Sequence, residues 1–161
     1  MMIPPAEMDG AGRGLRVNRE PNQQDAALYQ RCFSQFQSGV AAEARAWFFE
    51  HFDATTYADM QARYPPGSRE RHLLAEFLGF YESNGVLVSR GLLHEDVFFD
   101  APFALDLVWG RVGPIIEEWQ EATGEPGIWE NVAWLGKRYK VWYETHWRPK
   151  VEAIPPEEGP I

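Results

Sequence analysis

The stretch SRERHLLAEFLGFYESNGVLVSRG, residues 68–91, decides the fold. Leu74, Phe77, Leu78, Tyr81, Gly85 and Val88 return at every third or fourth position and therefore share one helical face. Leu73, Phe80 and Leu87 fill other faces, so this helix is expected at the centre of a bundle, touched on several sides. Ser68 suits the N-cap, because its hydroxyl can accept a free N–H of the first turn. The residue three positions on is Arg71 rather than Glu or Gln, so the reciprocal capping box is absent. Gly91 after Arg90 suits a left-handed helix end. On the other side, Pro65-Pro66-Gly67 stops whatever precedes, since consecutive prolines cannot continue a helix.

Outward from this stretch the period continues. Leu28, Cys32, Phe36, Val40, Ala44, Phe48 and Phe52 recur every fourth residue and predict a helix from Gln24 to Phe52, with Gly39 as a site of bend or break. A short element follows from Thr55 to Tyr64. His94-Glu95-Asp96 opens a short helix to Asp100, its acids matching the positive end of the helix dipole. A longer helix then runs to about Ala122, with a kink expected near Gly113-Pro114. Gly124-Glu125-Pro126-Gly127 makes a turn, and a last helix spans Ile128 to about Trp147. No segment alternates apolar and polar residues, so no strand is expected. The fold class predicted is all-α, about five helical segments in one irregular bundle. Residues 1–22, with Pro4, Pro5, Gly10, Gly12, Gly14 and Pro21, read as a flexible tail; 23–148 form one helical domain; 149–161 form a Pro-rich, acidic C-terminal tail.

A chain of 161 residues with 45% hydrophobic content can bury a core without disulfides or a structural metal. Its single cysteine, Cys32, excludes an internal disulfide and a four-cysteine zinc site, and suits a reducing, cytoplasmic setting. The N-terminus lacks the basic start and apolar stretch of a signal peptide, and no apolar run approaches the ~20 residues that span a membrane. A formal net charge of −9 opposes docking on anionic membranes and general binding to nucleic acid.

The residues that could carry chemistry are few. His72 and Glu76 lie four apart on one helical face, and His94, Glu95 and Asp100 add further groups; together they could imitate a carboxylate–histidine metal or catalytic cluster. No Glu-x-x-His pair and no His-Glu-x-x-His run occurs, so no metal or other cofactor is assigned and the plain alternative is solvated charge near a helix start. Cys32 lies on an apolar stripe, where a thiol behaves as a small hydrophobe. Phosphate loops, hydrolase elbows and EF-hand loops are absent. Glu117, Glu118, Glu121 and Glu125 read as a solvated acidic face. One basic strip, Lys137, Arg138 and Lys140 interleaved with Tyr139, Trp142, Tyr143 and Trp147, could contact single-stranded nucleic acid or an acidic partner. The same pattern arises wherever a C-terminal helix buries aromatics and exposes cations.

The runs Phe80-Tyr81-Glu82, Gly85-Val86-Leu87-Val88, Arg90-Gly91-Leu92-Leu93 and Glu95-Asp96 are similar to the core signature of an uncharacterised all-helical bacterial family, a domain of unknown function. Arg63-Tyr64-Pro65-Pro66-Gly67-Ser68, Gly113-Pro114-Ile115-Ile116 and Trp129-Glu130-Asn131-Val132-Ala133-Trp134-Leu135 resemble its flanking segments. The resemblance covers roughly residues 44–143 and implies a helical fold with no known reaction, cofactor or catalytic residue. His94 departs from the small polar residue expected at such an N-cap. The leading functional expectation is a non-catalytic helical module that binds another protein or itself. Trp129, Trp134, Lys137, Arg138, Trp142 and Trp147 are its expected contact residues, since exposed Trp is enriched at interfaces. The alternatives are an enzyme using the His/carboxylate cluster and a nucleic-acid binder using the C-terminal helix.

Overall fold

The computed structural model describes residues 19–147. These residues form seven helices and no strand: α1 (Gln23–Gln37), α2 (Gly39–His51), α3 (Tyr57–Arg63), α4 (Arg69–Ser89), α5 (Glu95–Phe99), α6 (Leu105–Thr123) and α7 (Glu130–His146). The all-α expectation holds, with a correction to the count of about five. The helix expected from Gln24 to Phe52 is two helices, because Ser38 is extended (φ −105°, ψ 146°) and Gly39 takes a left-handed φ of 51°. The four-residue stripe runs through that break, but Val40, one of its members, stands in solvent at 56% exposure. α6 continues through Pro114 from Leu105 to Thr123.

Capping explains most of the helix starts. Asn22 and Asp25 form a reciprocal capping box on α1, Thr56 Oγ1 accepts the Asp59 N–H (3.0 Å), and Ser68 Oγ accepts the Arg71 N–H (3.2 Å). The Ser68 cap and the left-handed Gly91 (φ 70°) are as the sequence predicts. His94 also caps with its side chain, Nδ1 accepting the Asp96 N–H at 3.1 Å, which explains how an imidazole replaces a small polar residue there.

α4 is the central element, flanked by α2 on one side and α7 on another, while α6 packs on α7 and α3 on α6. Towards α2 the interface is aromatic: Phe48 stacks on Phe77 (4.3 Å between centroids) and on Phe52 (4.9 Å). Beside them, Tyr81 Oη donates to the Phe103 carbonyl at 2.6 Å, satisfying a buried hydroxyl. Cys32 is buried, its thiol donating to Asn84 Oδ1 (3.0 Å) while Asn84 Nδ2 donates to the Phe80 carbonyl (2.8 Å). Burial pushes the thiol pKa up, which keeps Cys32 protonated and inert, as its place on the apolar stripe predicts.

Candidate functional site

The side chains nominated from sequence fall into two separate places. His72 and Glu76 are exposed in the first half of α4. His94 and Glu95 lie beyond the other end of that helix, so about 27 Å of helix at 1.5 Å per residue separates His72 from Arg90. Among the described residues, no group of three or more His, Cys, Asp or Glu is arranged to hold a metal ion. The first cluster is therefore a pair of groups on a solvent-facing surface, and the chemistry to be weighed is at the second.

That second place is where the segment before α1, the α4–α5 turn and α7 meet. Asp25, fully buried in its side chain, receives two bonds from Arg19 (2.5 and 2.7 Å), one from the Asn22 N–H (2.8 Å) and one from the His94 N–H (2.8 Å). The Arg19 guanidinium beside it holds the Asp25 carboxyl well below the usual carboxylate range, against the desolvation that opposes ionisation. Arg19 also donates to the Gly91 carbonyl (3.4 Å). Arg19 and Asn22, at the end of the segment that reads as tail, bond to Asp25 of α1 and, through Arg19, to Gly91 and His94 of the α4–α5 turn.

His94 is committed at both ring nitrogens. Nδ1 accepts from the Asp96 N–H, and Nε2 lies 2.6 Å from the Arg19 carbonyl. Only the neutral tautomer protonated at Nε2 satisfies both contacts, which leaves no lone pair for a general base or a metal. Glu95 is equally committed: its carboxylate takes a bidentate pair from Arg138 of α7 (2.8 and 2.9 Å), with the two side chains only 15% and 12% exposed. Trp142 is buried in the core rather than on an interaction surface. Its indole N–H donates to Asp96 Oδ1 (2.7 Å) and its ring meets Phe99. An open depression nearby is lined by Tyr29, Asp96, Val97, Asp100 and Ala101.

The basic strip of α7 is divided by the same packing. Arg138 faces inward to Glu95, Lys137 reaches Glu117 (3.5 Å) and lies over the Trp109 ring, and Lys140 is exposed. Arg148 and Lys150, which would extend the strip, lie outside the described residues. Trp129 and Trp134 are half-buried. The exposed aromatics at the C-terminal end of α7 are Tyr143 (48%) and the C-cap Trp147 (38%), stacked at 5.2 Å beyond Tyr139; Val141 is exposed on a different face of the helix. The acidic face also has structural uses: Glu118 accepts the Tyr57 N–H at the start of α3 (2.7 Å).

Sequence reasoning missed Arg19, Asp25 and Glu82. Asn22-x-x-Asp25 is a local cap pattern and could have been read. Glu82 could not have been assigned locally, since its partners lie about fifty residues on. Its carboxylate accepts the N–H groups of Asn131 and Val132 (both 3.1 Å) and the Asn131 side-chain amide (2.8 Å). α7 needs this, because its N-cap Trp129 is left-handed (φ 51°) and supplies no side-chain cap.

The fold and site thus define a helical module whose half-buried charges are bonded to helix ends and to one another. The chain belongs to the family described as domain of unknown function DUF4760, whose model matches residues 11–139. No curated protein and no solved structure matches the chain. No helix among the described residues is long and apolar enough to cross a membrane.

Proposed function

We propose that the helical unit spanning residues 23–148 is a non-catalytic binding module that associates with a protein, including a second copy of itself, through the C-terminal half of α7. The observation that carries this reading is the distribution of chemistry. The ionisable groups gathered around α5 are occupied as caps and bridges, while Tyr143 and the C-cap Trp147 stack together in solvent at the C-terminal end of α7. Large aromatic side chains on an exposed helix face supply contact area at low entropic cost, which is why they recur at interfaces. The commitment of Arg138 to Glu95 removes one of the cations on which a nucleic-acid surface would depend, and Lys137 lies beside Glu117 in an exposed pair.

Sedimentation equilibrium over a wide concentration range tests the self-associating form. The apparent mass should rise with concentration, and Tyr143→Ser should abolish the rise while leaving the helical circular dichroism unchanged. A strict monomer at high micromolar concentration disposes of self-association.

A further inference from the structure

We infer that His94 is a proton-sensitive cap: a second proton on its ring releases the first turn of α5, whose side chains Glu95 and Asp96 hold α7. The inference goes beyond the binding-module reading and does not depend on it.

α5 has five residues, so its first turn is held by few groups. The Val97 and Phe98 N–H groups donate to the His94 carbonyl (both 3.2 Å), and the Asp96 N–H goes to Nδ1 of the His94 ring (3.1 Å). A serine or asparagine cap would accept that N–H at any pH, because its oxygen keeps its lone pairs. An imidazole nitrogen accepts only while unprotonated, and histidine is the side chain whose charge ordinarily changes between about pH 5 and 8. The other ring nitrogen, Nε2, faces an acceptor, the Arg19 carbonyl (2.6 Å), so it already holds a proton. The second proton, drawn from solvent, therefore goes to Nδ1. It leaves two donors, Nδ1–H and the Asp96 N–H, facing each other.

The charges around the ring favour that proton. Asp25 of α1, which accepts the His94 N–H, is matched by Arg19, and Glu95 is matched by Arg138 of α7. Arg90, at the end of α4, is exposed. Asp96 is the carboxylate left over: Oδ1 accepts the Trp142 indole N–H (2.7 Å), and Oδ2 lies 3.8 Å from His94 Nδ1. Among the described residues no arginine or lysine pairs with it. The His94 side chain is 10% exposed and that of Asp96 46%, so water reaches the pair from the Asp96 side. Protonation thus exchanges a cap for an ion pair. The ring turns from the Asp96 N–H towards the Asp96 carboxylate, Nε2 leaves the Arg19 carbonyl, and the Asp96 N–H passes to water.

Nitrogen-resolved magnetic resonance of the full chain between about pH 7.5 and 5.5 tests the device. The His94 ring should begin as the tautomer protonated at Nε2 and take its second proton within that interval. As it does, the exchange protection of the Asp96 amide, corrected for the intrinsic pH dependence of exchange, should fall about fivefold to tenfold, the range of one lost N-cap. Protection in the buried part of α4 should stay constant. The Trp142 indole N–H should shift with the same midpoint, since one carboxylate serves both groups. His94→Asn supplies a cap that does not titrate, and should hold both signals constant across the interval. Asp96→Asn keeps an acceptor for Trp142 but removes the charge, and should move the midpoint to lower pH. A His94 ring that stays neutral down to pH 5.5 overturns the device. So does Asp96 protection that ignores the His94 titration, or a response that survives His94→Asn or keeps its midpoint in Asp96→Asn.

Discussion

Towards α2, α4 is held by rings: Phe77 stacks on Phe48, Phe48 on Phe52, and Phe52 on Tyr64 at 5.6 Å. Towards α7, the helices pack closely where Gly85 meets Asn131 and Leu135, and the Glu82 carboxylate reaches across to the start of the neighbouring helix. Ring contacts bury large apolar area in offset-stacked or edge-to-face geometry, without a directional hydrogen bond. A carboxylate at a helix N-terminus is directional, since it accepts from N–H groups that diverge little, and it meets the positive end of the helix dipole. The α2 flank is a stack of rings, and on the α7 flank Glu82 orients the start of the helix that carries Arg138 and Trp142.

Removing a ring should cost more than removing the carboxylate. Phe48→Ala deletes a fully buried side chain from the middle of the stack and should lower stability by about 3–5 kcal/mol in urea unfolding. Glu82→Ala should cost about 2–3 kcal/mol, because it leaves two N–H groups of α7 without their acceptor. It should also release the α7 amides to faster hydrogen exchange, an effect Phe48→Ala should not confine to α7. Equal losses with identical exchange patterns would break the contrast between the flanks.

The α6–α7 contact sharpens it from another side. A Cβ on Gly136 would lie 2.2 Å from Trp109 Cδ2, well inside contact distance. Gly136→Ala should therefore expel the indole from its seat and cost about 2 kcal/mol, read by urea unfolding, with a red shift of tryptophan emission. An unshifted spectrum would mean that the indole keeps its seat against α7.

α4 could be read in full because its stripe, its Ser68 cap and its Gly91 stop are all local. The break at Ser38-Gly39 was not, because the apolar period passes through it and only the exposure of Val40 shows the stripe ending. His94 and Glu95 are reactive residue types, yet their roles depend on Arg19, Asp25 and Arg138, which approach from 43 or more residues away. Composition obscured the Asn22–Asp25 box, since the surrounding prolines and glycines read as tail. The family match covers residues 11–139 and stops before Tyr143 and Trp147.

The smallest effect on global stability should come from the Arg19–Asp25 clasp, although its carboxylate is the most strongly perturbed. The clasp sits where the chain enters the helical unit, so its opening can be local, without unfolding α4 or α7. Asp25→Asn should cost about 1.5 kcal/mol, the range of a hydrogen bond to a charged group. Its sign with pH is fixed by the depressed carboxyl pKa in the folded state. The contribution is fully present above the unfolded carboxyl value near 3.9, and is lost as pH falls below it towards the folded value. The parent chain should therefore exceed Asp25→Asn by a constant margin from about pH 5 to 8, and the margin should shrink below about pH 4. A margin that grew on acidification would mean that Asp25 is protonated in the folded chain, and that Arg19 is held by the Gly91 carbonyl alone.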